Sequence, residues 1–258
     1  MTSEEKAPTR AVVVGGTHGI GLAVAQRLLD RGAEVLVTGS DEQRVVEARL
    51  ALTSPRAHVV QSDVTDLAAI ERLARTIEST LGSIELLHMN VGFAELQPFT
   101  HVTEESYDRA FAINTKGAFF TVQGVAPLVA DGGSIVFTTS IADEGGAPGM
   151  MVYSGAKAAV LAFAKTFASE LMPRSIRVNV VAPGFVETPT MGVRDASEAE
   201  RRAFHAIGDS TTPMGRHGTV DEVATAVMFL AFEATFTTGA RLTVDGGLGT
   251  GVRSPNAA

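Results

Sequence analysis

The feature that most limits the fold of this chain is an alternation. Short apolar runs are followed, repeatedly, by longer stretches with apolar residues at helical spacing. Residues 11–14, Ala-Val-Val-Val, form the first run and end at a glycine. Residues 22–29 then carry leucine, valine and alanine on one helical face, and Gly32 stands where a helix C-terminus is commonly closed. The same reading predicts strands over 34–38, 58–61, 84–89, 134–138, 176–181 and 241–244. It predicts helices over 41–52, 67–81, 104–129, 152–171 and 220–231. Strands joined by helices of this length run parallel, because a parallel return needs a crossover.

The predicted fold class is therefore α/β: a single-domain Rossmann-type doubly wound parallel sheet with helices on both faces. No linker or repeat interrupts the alternation, so residues 10–250 read as one domain. Residues 1–9 and 251–258 read as flexible tails. One stretch, 188–218, breaks the rhythm. It is polar and rich in arginine, and reads as a lid over a site or as a pair of helices.

Composition narrows the function. Hydrophobic residues make up 45% of the chain, enough for a substantial core, and the net charge is −8. An acidic surface repels phosphate backbones, so nucleic acid is not an expected partner. With no cysteine, the chain has neither a disulfide framework nor a thiolate metal site, and no metal site is expected. No stretch reads as a secretory leader or a membrane span; the most apolar candidate, 150–172, contains Lys157, Lys165 and Glu170. The expectation is a cytoplasmic protein with no membrane partner.

The turn after the first strand is Gly15-Gly16-Thr17-His18-Gly19-Ile20-Gly21. Glycine tolerates positive φ and lets backbone approach a pyrophosphate, and the helix behind it offers free N–H groups and a favourable dipole. A tight turn without a ligand is the structural alternative. The spacing Gly15, Gly19, Gly21 differs from the Gly-x-Gly-x-x-Gly of two-domain dehydrogenases. With this spacing the chain resembles the short-chain dehydrogenase/reductase family in its compact, ketoacyl reductase-like form.

Tyr153 and Lys157 are four apart in a helical stretch and so share a face. A nearby ammonium lowers the pKa of a phenol, which can then exchange a proton with a carbonyl or alcohol. Taken alone, the pair could equally be a surface contact. The resemblance implies more. Tyr153 is the general acid/base, Lys157 tunes it and holds the nicotinamide ribose, and Ser140 holds the substrate oxygen. Asn114, in Phe-Ala-Ile-Asn-Thr-Lys-Gly, interrupts its helix and supports a water-linked proton relay. A turn-capping Ser140 and a solvent-facing Asn114 are the plainer alternatives.

The resemblance also assigns cofactor contacts. They are the turn residues Gly15, Thr17, His18, Gly19, Ile20 and Gly21; Ser40 after the second strand; and Asp63 and Val64 beside the adenine. Asn90 and Gly92 lie in Met89-Asn90-Val91-Gly92, where the family usually has Asn-Asn-Ala-Gly. Pro183, Gly184, Val186 and Thr188 follow the sixth strand, and Tyr153 and Lys157 complete the set. Gly39 stands where NAD-specific relatives carry an acidic residue. With His18, Ser40 and Arg44 nearby, this favours NADP(H) over NAD(H), although Asp41 and Glu42 are close.

The substrate side is expected to use Phe93, Ile141, Pro148, Met150, Met151, Phe185, Met191, Phe204 and Ile207. Apolar walls with two hydroxyls suit a small-molecule ketone or secondary alcohol. Arg194, Arg201 and Arg202 could meet an acidic carrier or pair with Asp195, Glu198 and Glu200. A 3-ketoacyl thioester reductase acting on a carrier-bound substrate is the first alternative. A non-catalytic NADP-sensing regulator is the second. By resemblance, the chain is expected to form a homotetramer or homodimer.

Overall fold

The computed structural model describes residues 9–188 and 198–252. Met191, Arg194 and Asp195, and the side chains of Glu200, Arg201 and Phe204, lie outside the described residues, as do 1–8 and 253–258 of the two expected tails.

Seven parallel strands form the central sheet. In chain order they are β1 (Arg10–Val14), β2 (Glu34–Gly39), β3 (Ala57–Gln61), β4 (Ile84–Met89), β5 (Val129–Thr138) and β6 (Arg177–Pro183). The two-residue strands β7 (Val186–Glu187) and β8 (Gly218–Thr219) pair with each other, and β9 (Arg241–Val244) completes the main sheet. The spatial order is β3-β2-β1-β4-β5-β6-β9. The helices are α1 (Gly19–Asp30), α2 (Glu42–Ala51), α3 (Leu67–Thr80), α4 (Glu104–Phe111), α5 (Gly117–Val125), α6 (Met151–Glu170), α7 (Glu198–Thr211) and α8 (Val220–Met228).

Burial on both faces explains why residues 11–14 of β1 read as an unbroken apolar run. Ala11, Val12, Val13 and Val14 have no exposed surface. Val12 and Val14 pack with Leu73 and Ile77 of α3, Val122 of α5 and Val160 of α6. Ala11 and Val13 face the opposite layer, against Val24 and Leu28 of α1 and Val223 and Val227 of α8. Burying such side chains contributes about 1.5–3 kcal/mol each for the larger ones.

The order reverses between β1 and β4: β2 and β3 lie on one side, and β4, β5, β6 and β9 on the other. In sheets of this kind a crevice opens at that switch, beyond the carboxyl ends of the strands.

The helix expected over 104–129 is broken. After α4 the chain makes a π turn, Ala112–Lys116, before α5 begins. Asn114 causes this locally: its Nδ2 donates to the Ala110 carbonyl at 2.9 Å, competing with the helical ladder. Pro127 stands in the short 3-10 turn that ends α5, and Val129 already belongs to β5. That strand therefore starts before residue 134, with a register shift against β4 between Ile84 and Leu86. Within the irregular stretch 188–218, α7 is helical, and Arg202 pairs with Glu198 one turn away. No helix among the described residues is long and apolar enough to cross a membrane.

His88, near the carboxyl end of β4, has no exposed surface. Its Nε2 pairs with Thr138 Oγ1 at 2.9 Å, and its Nδ1 has no partner. Burial pushes its pKa down to about 3, from an ordinary 6.5. Between those values the unfolded chain binds a proton that the folded chain refuses. The contribution of neutral His88 is thus intact above about pH 6.5 and is lost as pH falls towards 3. Urea unfolding of His88→Val at pH 7 and pH 5 is expected to show a smaller acid loss than the wild type. Equal losses in the two proteins would mean that His88 does not couple folding to pH.

Candidate active site

One cleft of about 1040 Å³ runs across the carboxyl ends of β1 to β6. Its first half is built by the β1–α1 turn. Gly15 has φ +78°, and its N–H and that of Gly16 donate to the Thr38 carbonyl at 3.0 and 2.9 Å. The first turn of α1 has no side-chain cap, and Gly19 and Ile20 line the cleft. That positive helix end is therefore available to a phosphate. Thr17, His18, Ser40, Asp63 and Val64 line the same half. Asp63 Oδ1 is engaged by the amide and hydroxyl of Thr65, each at 2.9 Å.

Gly21 acts differently from its neighbours in the turn. It does not line the cleft. A Cβ there would stand 2.4 Å from the Gly15 carbonyl oxygen and 2.8 Å from Asn90 Nδ2. Its place is in helix–strand packing, where no side chain fits. Asn90 supports the turn from β4, with Nδ2 donating to the Gly15 carbonyl at 2.9 Å.

The end of β2 is shaped by contact as well as by composition. A Cβ at Gly39 would meet Thr17 Oγ1 at 2.5 Å and Cγ2 at 2.6 Å. The threonine occupies the space an acidic side chain would need. Ser40 and Arg44 face the cleft beyond it, with Asp41 capping α2 through the Arg44 amide at 3.0 Å. Among the described residues the Arg44 guanidinium has no carboxylate partner. Asp41 lines this end as well, so a hydroxyl, a cation and a carboxylate all border it.

The second half holds the proton-exchange candidates. Ser140 follows β5, and its Oγ accepts from the Ala142 amide at 3.2 Å, so it also caps its turn. Tyr153, in the first turn of α6, lines the same part of the cleft, and the Ser140 side chain favours its ionised form. Lys157, one turn on and buried, donates to the Val91 carbonyl at 2.9 Å and the Thr138 carbonyl at 3.1 Å. Its Nζ lies 5.8 Å from the Tyr153 ring centroid. Ser140, Tyr153 and Lys157 all line the cleft, as do Asn90, Gly92, Pro183, Gly184, Val186 and Thr188.

The expected lowering of the Tyr153 pKa does not occur in the chain by itself. Burial pushes the phenol up to about 12, outweighing the opposite effect of the Ser140 side chain; the Asp143 carboxylate pushes it further up. Lys157 moves the opposite way, down to about 8, because burial outweighs the attraction of Asp143. Its ammonium is spent on two backbone carbonyls rather than on the phenol. Tyr153 is therefore a protonated acid at neutral pH.

Asn114 sits behind the cleft, fully buried. Its Oδ1 accepts from the Phe93 amide at 3.0 Å, and its Nδ2 donates to the Phe93 carbonyl at 2.8 Å as well as to Ala110. It holds the loop after β4 whose Val91 carbonyl receives Lys157.

On the substrate side, Phe93, Ile141, Met150, Phe185 and Ile207 line the cleft, but Pro148 and Met151 do not. Met151 is 64% exposed, because the first residue of α6 turns away from the sheet. Leu96, Arg109, His217 and Leu248 also line it and were not evident from the sequence. Arg109 is committed to Glu95 at 2.5 Å, and His217 Nδ1 to Asp209 at 2.7 Å. Nothing in local sequence marks these residues, since each arrives from a separate loop or helix.

Comparisons with known proteins agree with this architecture. The family profile described as Enoyl-(Acyl carrier protein) reductase matches residues 14–249. Oxidoreductase asL5 of Sarocladium schorii is 36% identical over 241 residues, covering 92% of this chain and 94% of the relative. A Serratia marcescens short-chain dehydrogenase/reductase mutant has a similar structure, with a TM-score of 0.84 at 32% identity, covering 93% of this chain and 98% of that one. An NADPH-bound short-chain oxidoreductase from Pseudomonas aeruginosa PAO1, described as containing an atypical catalytic center, has a TM-score of 0.81 at 30% identity, covering 93% and 96%.

Proposed function

The chain belongs to the short-chain dehydrogenase/reductase family, enzymes acting on CH–OH and carbonyl groups, and from that premise we propose that it interconverts a ketone and a secondary alcohol with NADP(H). The observation that carries the reading is the convergence of Tyr153, Ser140 and Lys157 in the cleft that also holds the glycine turn. The bound nicotinamide supplies or accepts the hydride. The rest of the chemistry falls to side chains of this chain.

In the reducing direction, Ser140 Oγ and Tyr153 Oη hold the carbonyl oxygen. Tyr153, kept protonated by burial, gives its proton to that oxygen as the alcohol forms. Lys157 fixes the Val91–Gly92 backbone against the end of β5, and its ammonium would hold the nicotinamide ribose. Asn114 supports the relay that returns a proton to Tyr153, acting through the loop it holds. Gly15, Thr17, His18, Gly19 and Ile20 would cradle the pyrophosphate, with Ser40 and Arg44 at the ribose phosphate. Apolar walls favour a small ketone over a charged substrate. A carrier-bound ketoacyl thioester is the second reading, favoured by the profile match to an acyl-carrier reductase family.

The test is oxidation of NADPH and NADH with a panel of ketones, diketones and ketoacyl thioesters. Turnover of a free ketone with NADPH, faster than with NADH, is the expected result. Turnover confined to carrier-bound thioesters would move the assignment to the second reading. Tight NADPH binding with no turnover on any of them would favour a sensor.

A further inference from the structure

Away from the proton-exchange groups, two histidines meet on one carboxylate. His205 and Asp209 stand one turn apart on α7, and His217 comes from the loop before β8. Asp209 Oδ1 lies 2.7 Å from His217 Nδ1, and Asp209 Oδ2 lies 3.3 Å from His205 Nδ1. The two imidazoles stack, with centroids 4.1 Å apart and planes inclined by 19°. One nitrogen or oxygen atom from each of the three side chains falls within 4.8 Å of the others. The proposed hydride chemistry uses none of the three.

We propose that His205, Asp209 and His217 form a binding site for a divalent transition metal of the zinc class, which ties α7 to the loop before β8 beside the cleft. The expectation of no metal site rested on the absence of cysteine, and a nitrogen–oxygen site needs none. Zinc takes imidazole nitrogen and carboxylate oxygen at about 2.0–2.2 Å, which sets tetrahedral ligand atoms about 3.3 Å apart. The nitrogen–oxygen distances here are already 2.7 and 3.3 Å. Three protein ligands leave a fourth position for water. Magnesium and calcium prefer shells of oxygen, so a pair of imidazoles selects against them.

The outer contacts fit as well. A ligating imidazole gives its other N–H to a carboxylate, a carbonyl or water. Glu187 Oε1, from β7, stands 3.7 Å from His205 Nε2, so a small turn of either side chain completes that contact. The His217 amide donates to Asp209 Oδ1 at 3.1 Å and steadies the carboxylate. Among the described residues, no arginine or lysine forms an ion pair with Asp209 or Glu187. Arg216, next to His217, is held by Glu222 at 2.7 and 3.0 Å. Two carboxylates and two imidazoles thus share one place with no guanidinium or ammonium paired to them. Ile207 and Thr211 of α7 line the cleft, as does His217, so an ion bound here would hold that wall in one arrangement.

The test needs no substrate and is independent of the role of Tyr153. The chelator-treated full chain is titrated with zinc chloride by calorimetry and with cobalt(II) chloride by visible absorption. One equivalent of zinc per chain is expected, with the intensified cobalt spectrum of a low-coordinate site. The His205 side chain is 42% exposed, so its removal spares the core. His205→Ala is expected to weaken zinc binding by roughly a hundredfold and to abolish the cobalt signal. Asp209→Asn keeps the shape of the carboxylate and is expected to do the same, which decides the matter if the first variant does not fold. Glu187→Gln removes the outer charge and is expected to weaken binding by about tenfold. His58→Gln disrupts a separate histidine–carboxylate pair, to Glu34 at 2.9 Å, and is expected to change nothing. No zinc uptake by the folded chain, or uptake that the His205 and Asp209 variants retain, overturns the proposal. So does uptake that is lost in His58→Gln.

Discussion

Tyr153→Phe is expected to lower ketone turnover by about a thousandfold, within the range assigned to a positioned general acid, while NADPH binding stays near the wild-type value. The phenol is the group in the cleft that burial keeps protonated, with a pKa pushed up to about 12. Ser140, held in its turn by the Ala142 amide, stays in place and can still hold the carbonyl oxygen. What is lost is the proton that must arrive as the hydride does. Phenylalanine keeps the ring that packs near Lys157, whose bonds to the Val91 and Thr138 carbonyls do not involve Tyr153. The fold should therefore tolerate the change. Single-turnover kinetics with NADPH, together with a fluorescence titration of the cofactor, separates the two effects. Retained turnover would move the acid role to another group. Loss of cofactor binding along with turnover would mean that the substitution damaged the cleft.

The second large effect is expected at the end of β2. Gly39→Asp puts a carboxylate where the adenosine ribose phosphate of NADPH is proposed to lie, but its Cβ would overlap Thr17. The single variant is expected to be destabilised by about 1–3 kcal/mol, the usual range for overpacking. With Thr17→Ala added, the two colliding threonine atoms are gone and the carboxylate fits. Measured against Thr17→Ala alone, that double variant is expected to bind NADPH about a hundredfold more weakly, ~2.7 kcal/mol, with NADH binding unchanged or tighter. Titration with both reduced nucleotides checks this. If the double variant still prefers NADPH, the phosphate does not sit beside Gly39 and Ser40.

Much of the architecture was legible before any coordinates. Strands buried on both faces are largely apolar; residues 11–14 are wholly so, and 34–38 and 84–89 carry apolar centres at 35–37 and 86–87. The elements around Tyr153 and Lys157 were legible for the same reason, since helical spacing alone places the two on one face. The long helix over 104–129 was misread because its apolar pattern continues through two interruptions. One is the Asn114 amide taking the Ala110 carbonyl; the other is the 3-10 turn containing Pro127. A buried side-chain bond leaves no trace in periodicity. Met151 was misplaced as a cleft residue because hydrophobicity does not say which way a helix's first turn faces.

The sequence by itself determined the layers, the glycine turn and the identity of the groups at the carboxyl ends of the strands. It did so because periodicity and turn chemistry are local. Only the tertiary structure decided what those groups are worth chemically. Asp143 is held by Arg241, 98 positions away. Thr17 closes the space beside Gly39 from a different loop. Burial, rather than the neighbouring lysine, sets the proton affinity of Tyr153 in the chain alone. Each of these depends on which distant atoms exclude water from a side chain, and desolvation is a property of the packed interior that no local pattern encodes.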